Sequence, residues 1–390
     1  MDDLLTRGVD QIIVKEELEA ALKSGRKLRI KLGVDPTRPD LHIGHAVVLR
    51  KLRALQDMGH TVIFLIGDYT TKIGDPSGKS KTRPMLTDEE IAANAKTYLD
   101  QVGLILNVKK AEIRYNSEWL SKLSFGDLLQ LASNVSVAQT IEREDFRARL
   151  ASGQELALHE ILYPLMQAYD SVALEADIEF GGNDQLFNLM AGRALQKKLG
   201  QKPQIVWTCD LLVGLDGVKK MSKSLDNYIG VADAPVDMFG KVMSIPDNLI
   251  APYYKLCTEL PLETIDELVK TLAAGANPRD SKASLARDIV RQYHGEAAAL
   301  KAEEDWNRTF RDKQGPTDEQ IEVIKLHGSR TILDFLTEFK VVTSNSEARR
   351  LLVQNGVRID GETVTDESTK LKGGEMVQVG KRRFFKLEAK

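Results

Sequence analysis

Residues 61 to 66 read Thr-Val-Ile-Phe-Leu-Ile, an apolar run framed by Gly59 and Gly67. A strand that is apolar at nearly every position has no face to offer water, so it belongs inside a parallel sheet covered by helices on both sides. The residues before it agree. An alternating strand over Leu28 to Val34 leads into a turn, Asp35-Pro36-Thr37-Arg38-Pro39-Asp40, and then into a helix with Val47, Val48, Leu52 and Leu55 on one face. Together they form a β-α-β half of a nucleotide-binding sheet. The helix opens on His42-Ile43-Gly44-His45. Unpaired backbone N–H groups, the positive end of the helix dipole and two imidazoles meet there, beside a spot suited to phosphate.

A basic stretch, Lys220-Met221-Ser222-Lys223-Ser224, lies at the far end of the same region. Alone, a His-x-x-His at a helix start is more often a cap or a core pair, and such a lysine stretch is simply a polar loop. In this order, on either side of one α/β region, the two resemble the signature of class I aminoacyl-tRNA synthetases, which activate an amino acid with ATP and load it onto tRNA.

Composition excludes several other classes. Hydrophobic residues at 42% and charged residues at 28% describe an ordinary globular chain, and 390 residues suffice for two or three domains. The two cysteines, Cys209 and Cys257, have no disulfide or zinc-ribbon spacing, and the six histidines form no cluster beyond His42 and His45. No protein metal site is expected. The start, Met1-Asp2-Asp3-Leu4, lacks the features of a signal peptide, and no stretch approaches the ~18 apolar residues of a membrane span, so a cytoplasmic protein is expected, with no membrane partner. Net charge is −3, yet residues 328 to 390 hold 12 Lys and Arg against 9 Asp and Glu. Nucleic-acid binding depends on where cations lie in space, and the sum does not argue against it.

The expected fold class is α/β in three parts: a Rossmann-like parallel-sheet catalytic domain over 1–228, a small helical domain over 229–327 and an α+β module over 328–390. Helical periodicity marks the second part, for example from Lys282 and from Glu296. In the third, Ser344-Asn345-Ser346-Glu347 is a capping box for a helix with Ala348, Leu351 and Leu352 inward and Arg349 and Arg350 outward, ending at Gly356. Short strands follow, Val357 to Ile359 turning at Asp360-Gly361, and Met376 to Val379 turning at Gly380 into Arg383-Phe384-Phe385. This resembles the small RNA-binding module shared by a ribosomal small-subunit protein and bacterial tyrosyl-tRNA synthetases. Arg349, Arg350, Arg358, Lys381, Arg382 and Arg383 would meet RNA phosphates.

Three further stretches, Gly74-Asp75-Pro76-Ser77-Gly78-Lys79, Tyr163 to Asp170 and Gly181-Gly182-Asn183-Asp184-Gln185, resemble motifs of the same synthetases. Tyr163, Gln167 and Asp170 fall on one face of a helix, and polar groups on an inward face need partners that a polar ligand can supply. The resemblance covers essentially the whole chain, which is identified as a member of the bacterial tyrosyl-tRNA synthetases. It implies that Asp75, Tyr163 and Gln167 hold the substrate ammonium, that Asp170 binds the phenol hydroxyl, and that Gln185 lines the same pocket. Asp35, Gly182 and Asp184 would contact the adenylate ribose or α-amino region, and the backbone of Leu212 and Val213 would take adenine. Gly33, Gly44, Met221, Ser222 and Ser224 would complete the ATP site. His42 and His45 would grip phosphate with Thr37 on the γ-phosphate, while Lys79, Arg83, Lys220 and Lys223 would neutralise departing pyrophosphate.

One position departs from the pattern. Where many members have a tyrosine that shares the phenol hydroxyl with the aspartate, this chain has Lys31, in a Lys-Leu-Gly-Val-Asp-Pro-Thr stretch similar to a second bacterial subtype. Lysine accepts no hydrogen bond, so Lys31 either donates to the phenol oxygen or points away. The chemistry needs no activated protein nucleophile, because the substrate carboxylate itself attacks the α-phosphorus of ATP. The site must position two anions and stabilise added charge. Implied partners are L-tyrosine, ATP with Mg²⁺ on its phosphates and tRNA(Tyr), the helical domain lying towards the anticodon, and a homodimer is expected. A small-molecule adenylyltransferase leaves the lysine stretch and the basic tail unexplained, a silent RNA-binding paralogue would have lost the site, and tryptophanyl-tRNA synthetases usually lack the tail module.

Overall fold

The computed structural model describes residues 2–37, 40–77, 86–311, 321–326, 328, 330–342, 344–380 and 383–389. The chain divides into two compact units, Met1–Asp233 with Ser244–Leu285, and Ala234–Met243 with Ala286–Lys390.

Six strands form the sheet of the first unit: β1 (Val9–Ile13), β2 (Arg29–Val34), β3 (Thr61–Ile66), β4 (Glu112–Tyr115), β5 (Ile178–Gly182) and β6 (Ile205–Cys209). Their spatial order is β1-β6-β5-β2-β3-β4. All neighbours are parallel except β1, an antiparallel edge on β6 that sequence reading did not find. From β2 the chain winds outward through β3 and β4, then returns to the other side of β2 for β5 and β6. The order therefore reverses between β2 and β5, and a crevice opens at the carboxyl ends of strands at such a reversal. The apolar run behaves as expected, with Val62 to Ile66 all buried.

The helix Ile43–Asp57 buries Ile43, Ala46, Val47, Leu49, Leu52 and Leu55. It stops at Gly59, whose φ of 93° lies in the left-handed region, and the chain turns there into β3. The helix Leu158–Ala173 packs against the helix Leu186–Lys198 and carries Tyr163, Gln167 and Asp170. Among the described residues, no helix is long and apolar enough to cross a membrane.

The second unit contains the strands β7 (Ile321–Leu326), β8 (Arg330–Thr331), β9 (Val357–Ile359), β10 (Glu362–Thr363), β11 (Lys370–Leu371), β12 (Met376–Val379) and β13 (Arg383–Ala389). Five of them pair in the order β10-β9-β12-β13-β7, and β8 pairs with β11. The capped helix, Asn345–Val353, buries Ala348 and Leu352 against a core that includes Phe335, Val357, Val377 and Phe385. The helix Pro235–Met243 packs on the helix Glu296–Trp306, with Phe239 and Trp306 ring centroids 6.1 Å apart.

Two boundaries differ from the sequence expectation. β7 runs parallel to β13 from Ile321 opposite Phe384 to Leu326 opposite Ala389, so the C-terminal sheet begins before residue 328. The expected helical domain 229–327 is also divided, residues 244–285 belonging to the first unit. Periodicity shows that a helix has an apolar face without showing which core receives it. A charged edge strand paired with residues sixty positions away has no local signature either.

Candidate active site

A cavity of about 330 Å³ opens at the carboxyl ends of β2 and β5, within the first unit. Of the expected site residues, Lys31, Gly33, Asp35, Thr37, His42, Gly44, His45, Asp75, Tyr163, Gln167, Asp170, Gly182, Asp184, Gln185, Leu212, Lys220, Met221 and Ser222 line it. Val213, Lys223 and Ser224 do not, and Lys79 and Arg83 lie outside the described residues.

The deep end is a set of interlocked hydrogen bonds. Asp170 is buried, its Oδ1 accepting from Trp119 Nε1 at 2.8 Å and its Oδ2 from Asn116 Nδ2 at 3.2 Å. Burial raises its carboxyl to about 7 against the opposing pull of Lys31, Trp119 and Asn116. Asn116 also donates to Thr70 Oγ1 at 2.9 Å, and that hydroxyl donates to Asp35 Oδ1 at 2.8 Å. A Cβ on Gly67 would sit 2.1 Å from Asp35 Oδ1, so only glycine leaves room for this carboxylate. The Tyr163 hydroxyl donates to Asp35 Oδ2 at 2.9 Å, which leaves its oxygen lone pairs free to accept from a cation. Burial, and next the negative charge of Asp75, raise the Asp35 carboxyl to about 7. Asp75 is held from both sides, by Ser77 N at 2.9 Å and by Gln185 Nε2 at 2.7 Å.

Lys31 requires a correction as a tyrosine-binding residue. It is fully buried and stands opposite Glu179 in the β2–β5 register. Its ammonium lies 2.9 Å from Glu179 Oε1 and donates to Ser171 Oγ at 2.9 Å and to the Gln167 carbonyl at 3.2 Å. An ammonium has three donors, and these three acceptors match them, so none remains for a phenol oxygen. Glu179 in turn accepts from Ser171, Gln167 and Gln204.

The outer end is built differently. His42 and His45 stand at the start of their helix with ring centroids 3.8 Å apart. His45 Nδ1 accepts from the His42 backbone at 3.2 Å, which assigns its proton to Nε2. His42 Nδ1 is buried without a hydrogen-bond partner among the described residues, and a Cβ on Gly44 would come within 2.9 Å of it. Burial, then the charge of Lys223, lowers His45 to about 4; burial, then His45, holds His42 lower still. Both imidazoles are neutral at pH 7 and so carry one N–H donor each.

The lysine stretch follows a hairpin in which Val213 pairs with Lys220 and Met221 N donates to the Leu212 carbonyl at 2.7 Å. The Val213 carbonyl accepts from the Tyr253 hydroxyl at 2.8 Å, and Val213 is not among the residues that line the cavity. Lys220 Nζ lies 2.5 Å from Asp184 Oδ2, and Lys223 Nζ lies 2.6 Å from Asp40 Oδ2. Asn227 clamps the turn, accepting from Ser222 N at 2.8 Å and donating to the Lys220 carbonyl at 3.2 Å.

Sequence reading missed Thr70, Asn116, Trp119, Glu179, Asn227 and Asp40. Asn116 follows the carboxyl end of β4, where polar residues face the crevice, and Glu179 is a carboxylate inside an apolar strand. Both carried a signal. In the second unit Arg350 and Arg358 are exposed, Arg349 pairs with Glu367 at 2.6 Å, and Arg383 donates to the Val341 carbonyl. Lys381 and Arg382 lie outside the described residues.

A family profile described as "tRNA synthetases class I (W and Y)" matches residues 23–311, and one described as "S4 domain" matches residues 330–377. A protein of Vibrio vulnificus named "Tyrosine--tRNA ligase 2" is 51% identical over 98% of this chain and 97% of its own length. One of Thermotoga maritima named "Tyrosine--tRNA ligase" is 49% identical over 98% and 96%. Among solved structures, tyrosyl-tRNA synthetase of Archaeoglobus fulgidus complexed with L-tyrosine superposes with a TM-score of 0.61 at 25% identity, covering 77% of this chain and 98% of that one. A C-terminally truncated mitochondrial tyrosyl-tRNA synthetase of Aspergillus nidulans gives 0.65 at 23% identity, covering 79% and 93%. With its reversal-point cavity, histidine helix and lysine hairpin, and with full-length relatives at about half identity, the chain belongs to the tyrosyl-tRNA synthetases of class I.

Proposed function

We propose that this enzyme activates L-tyrosine with ATP to tyrosyl-adenylate and pyrophosphate, and then transfers tyrosine to the terminal ribose of tRNA(Tyr). The observation that carries the reading is the buried Asp170 carboxylate at the floor of a cavity whose other end holds two neutral imidazoles and Lys220. Asp170 accepts a hydrogen bond from the phenol hydroxyl. Asp75, Tyr163 and Gln167 hold the ammonium, and Gln185 keeps Asp75 in place. ATP enters as its magnesium complex. His42 and His45 donate to its phosphates and Thr37 to the γ-phosphate, with Gly182 and Asp184 beside the ribose and Asp35 at the α-amino region next to Tyr163. The tyrosine carboxylate oxygen attacks the α-phosphorus, the bond to the bridging oxygen breaks, and pyrophosphate leaves towards Lys79, Arg83, Lys220 and Lys223. Lys220 and Lys223 then exchange Asp184 and Asp40 for phosphate oxygens.

The terminal ribose hydroxyl of tRNA attacks the acyl carbon and releases AMP. Arg349, Arg350, Arg358, Lys381, Arg382 and Arg383 bind RNA phosphates. A homodimer in the cytoplasm is the working form, and the large apolar side chains left exposed on the first unit, Phe125 at 76% and Leu158 at 74%, favour a second copy as their cover. The stretch from Lys31 to Thr37 supports a bacterial subtype distinct from that with a phenol-reading tyrosine.

The test is ATP–pyrophosphate exchange with each of the twenty amino acids. Tyrosine is expected to lead, and exchange led by another amino acid overturns the reading. Replacing Arg350 and Arg358 by alanine should leave exchange intact, weaken tRNA charging and lower the salt dependence of tRNA binding by about one unit of slope per lost phosphate contact.

A further inference from the structure

Arg143 lies outside every motif that marked the site, yet it closes a ring of hydrogen bonds around one of the site's carboxylates. Its Nη1 donates to Asn188 Oδ1 at 2.8 Å and its Nη2 to Ser77 Oγ at 2.9 Å. Asn188 Nδ2 donates to Gln185 Oε1 at 2.9 Å, and Gln185 Nε2 to Asp75 Oδ2 at 2.7 Å. On the other branch Ser77 N donates to Asp75 Oδ1 at 2.9 Å. Both oxygens of Asp75 are therefore fixed by donors tied to one guanidinium, Ser77 directly and Gln185 through Asn188.

That guanidinium is itself held on several sides. Asp145 grips it through Nε and Nη2, both at 2.9 Å, and it lies between the rings of Phe146 and Phe187, 4.9 and 5.3 Å from their centroids. Arg143, Ser77 and Asn188 are buried, at 6%, 5% and 1% exposure. A planar fork with five donors joins the two branches at fixed geometry, which lysine's single point of charge does not reproduce.

We propose that Arg143 is a positioning residue for tyrosine binding: through Ser77 and Asn188 it orients the Asp75 carboxylate towards the substrate ammonium. The proposal rests on the reading of Asp75 as the ammonium acceptor. A carboxylate held by two oriented donors presents its remaining lone pairs in one direction. Without Arg143 the Ser77 and Asn188 side chains lose their common partner, and Asp75 keeps its charge while losing its aim.

Two inhibitors of tyrosine-dependent exchange separate this role from a general one. Tyramine retains the ammonium, whereas 3-(4-hydroxyphenyl)propionate retains the phenol and carboxylate and lacks the ammonium. Arg143→Ala should raise the tyrosine KM and the tyramine inhibition constant about tenfold, the order carried by a charge-assisted hydrogen bond, and leave the propionate constant within twofold. Equal weakening of both inhibitors, or no change in either, overturns the proposal. Arg143→Lys, which keeps a charge opposite Asp145, should fold if the alanine variant does not and should show a smaller loss of the same selectivity; an unselective loss counts against the proposal. Asp75→Asn is the control. If it too lacks the selective loss, the reading of Asp75 fails and the proposal with it. If Asp75→Asn shows the loss and Arg143→Ala does not, the proposal alone fails. In Asp75→Asn/Arg143→Ala, the second change should add nothing to the first.

Discussion

The two ends of the cavity solve opposite problems. At the floor the polar groups are held by fixed partners, and the carboxylates keep acceptor lone pairs for a substrate: Asp170 is held by Trp119 and Asn116, Lys31 by Glu179, Ser171 and Gln167, and Asp75 by Ser77 and Gln185. At the outer end the cations Lys220 and Lys223 rest on Asp184 and Asp40, carboxylates that phosphate oxygens can replace. Specificity needs groups that do not adjust, because a buried acceptor left unpaired by the wrong substrate is costly. Catalysis needs charge that gains most when pyrophosphate leaves. On the proposed assignment of the site, a rigid floor and exchangeable outer cations would meet these two needs separately.

The sharpest way to break the comparison is at Asp170. Asp170→Ala should lower kcat/KM for tyrosine activation by about 10³-fold or more and that for phenylalanine by only a few-fold. The scale is set by the rejection of phenylalanine by a tyrosyl-tRNA synthetase, about 10⁵, and is borrowed from that case. Comparable losses for both amino acids would remove Asp170 from phenol recognition. Next in size is Lys223→Ala, which should slow single-turnover adenylate formation about 10²-fold while tyrosine binding stays nearly unchanged. An unchanged rate would place Lys223 outside the chemistry.

A pH titration should divide the two ends by roughly tenfold. Asp35 and Asp170 are acids raised to about 7, so they gain protons as pH falls from 7 towards 6 and lose acceptor strength. Tyrosine kcat/KM should drop up to about tenfold over that unit. The histidines are bases with lowered values, His45 at about 4, so they stay neutral there and the KM for ATP should hold within about twofold. A parallel fall in both parameters would contradict the separation. The smallest kinetic effect is expected at Lys31. Lys31→Met leaves Glu179 buried without its counter-charge, which costs about 3–5 kcal/mol of stability in urea unfolding. Measured near pH 9, so that losing the pull of Lys31 on Asp170 does not protonate that carboxyl, tyrosine and phenylalanine activation should change equally, by less than about threefold; a loss confined to tyrosine there would show Lys31 reading the phenol after all. Lys31→Met/Glu179→Gln should recover most of the stability.

Local chemistry determined much of this from the chain alone. The apolar run Thr61 to Ile66 dictated a covered parallel strand, the His42 to His45 stretch marked a helix start, and the capping box at Ser344 opened the helix Asn345–Val353. Each depends on residues a few positions apart, so each is written in the sequence. Tertiary structure decided the partners. Lys31 and Glu179 are visible as charges inside apolar strands, but only the register of β2 on β5 sets one against the other and turns the lysine from the phenol. Arg143 reaches Asp75 only because the segment before the helix Glu144–Ala151, the turn at Ser77 and the helix Leu186–Lys198 converge. The place of β7 beside β13 has the same origin. Contacts between residues distant in sequence arise from how whole elements bury their apolar faces together, and no short stretch of the chain contains that information.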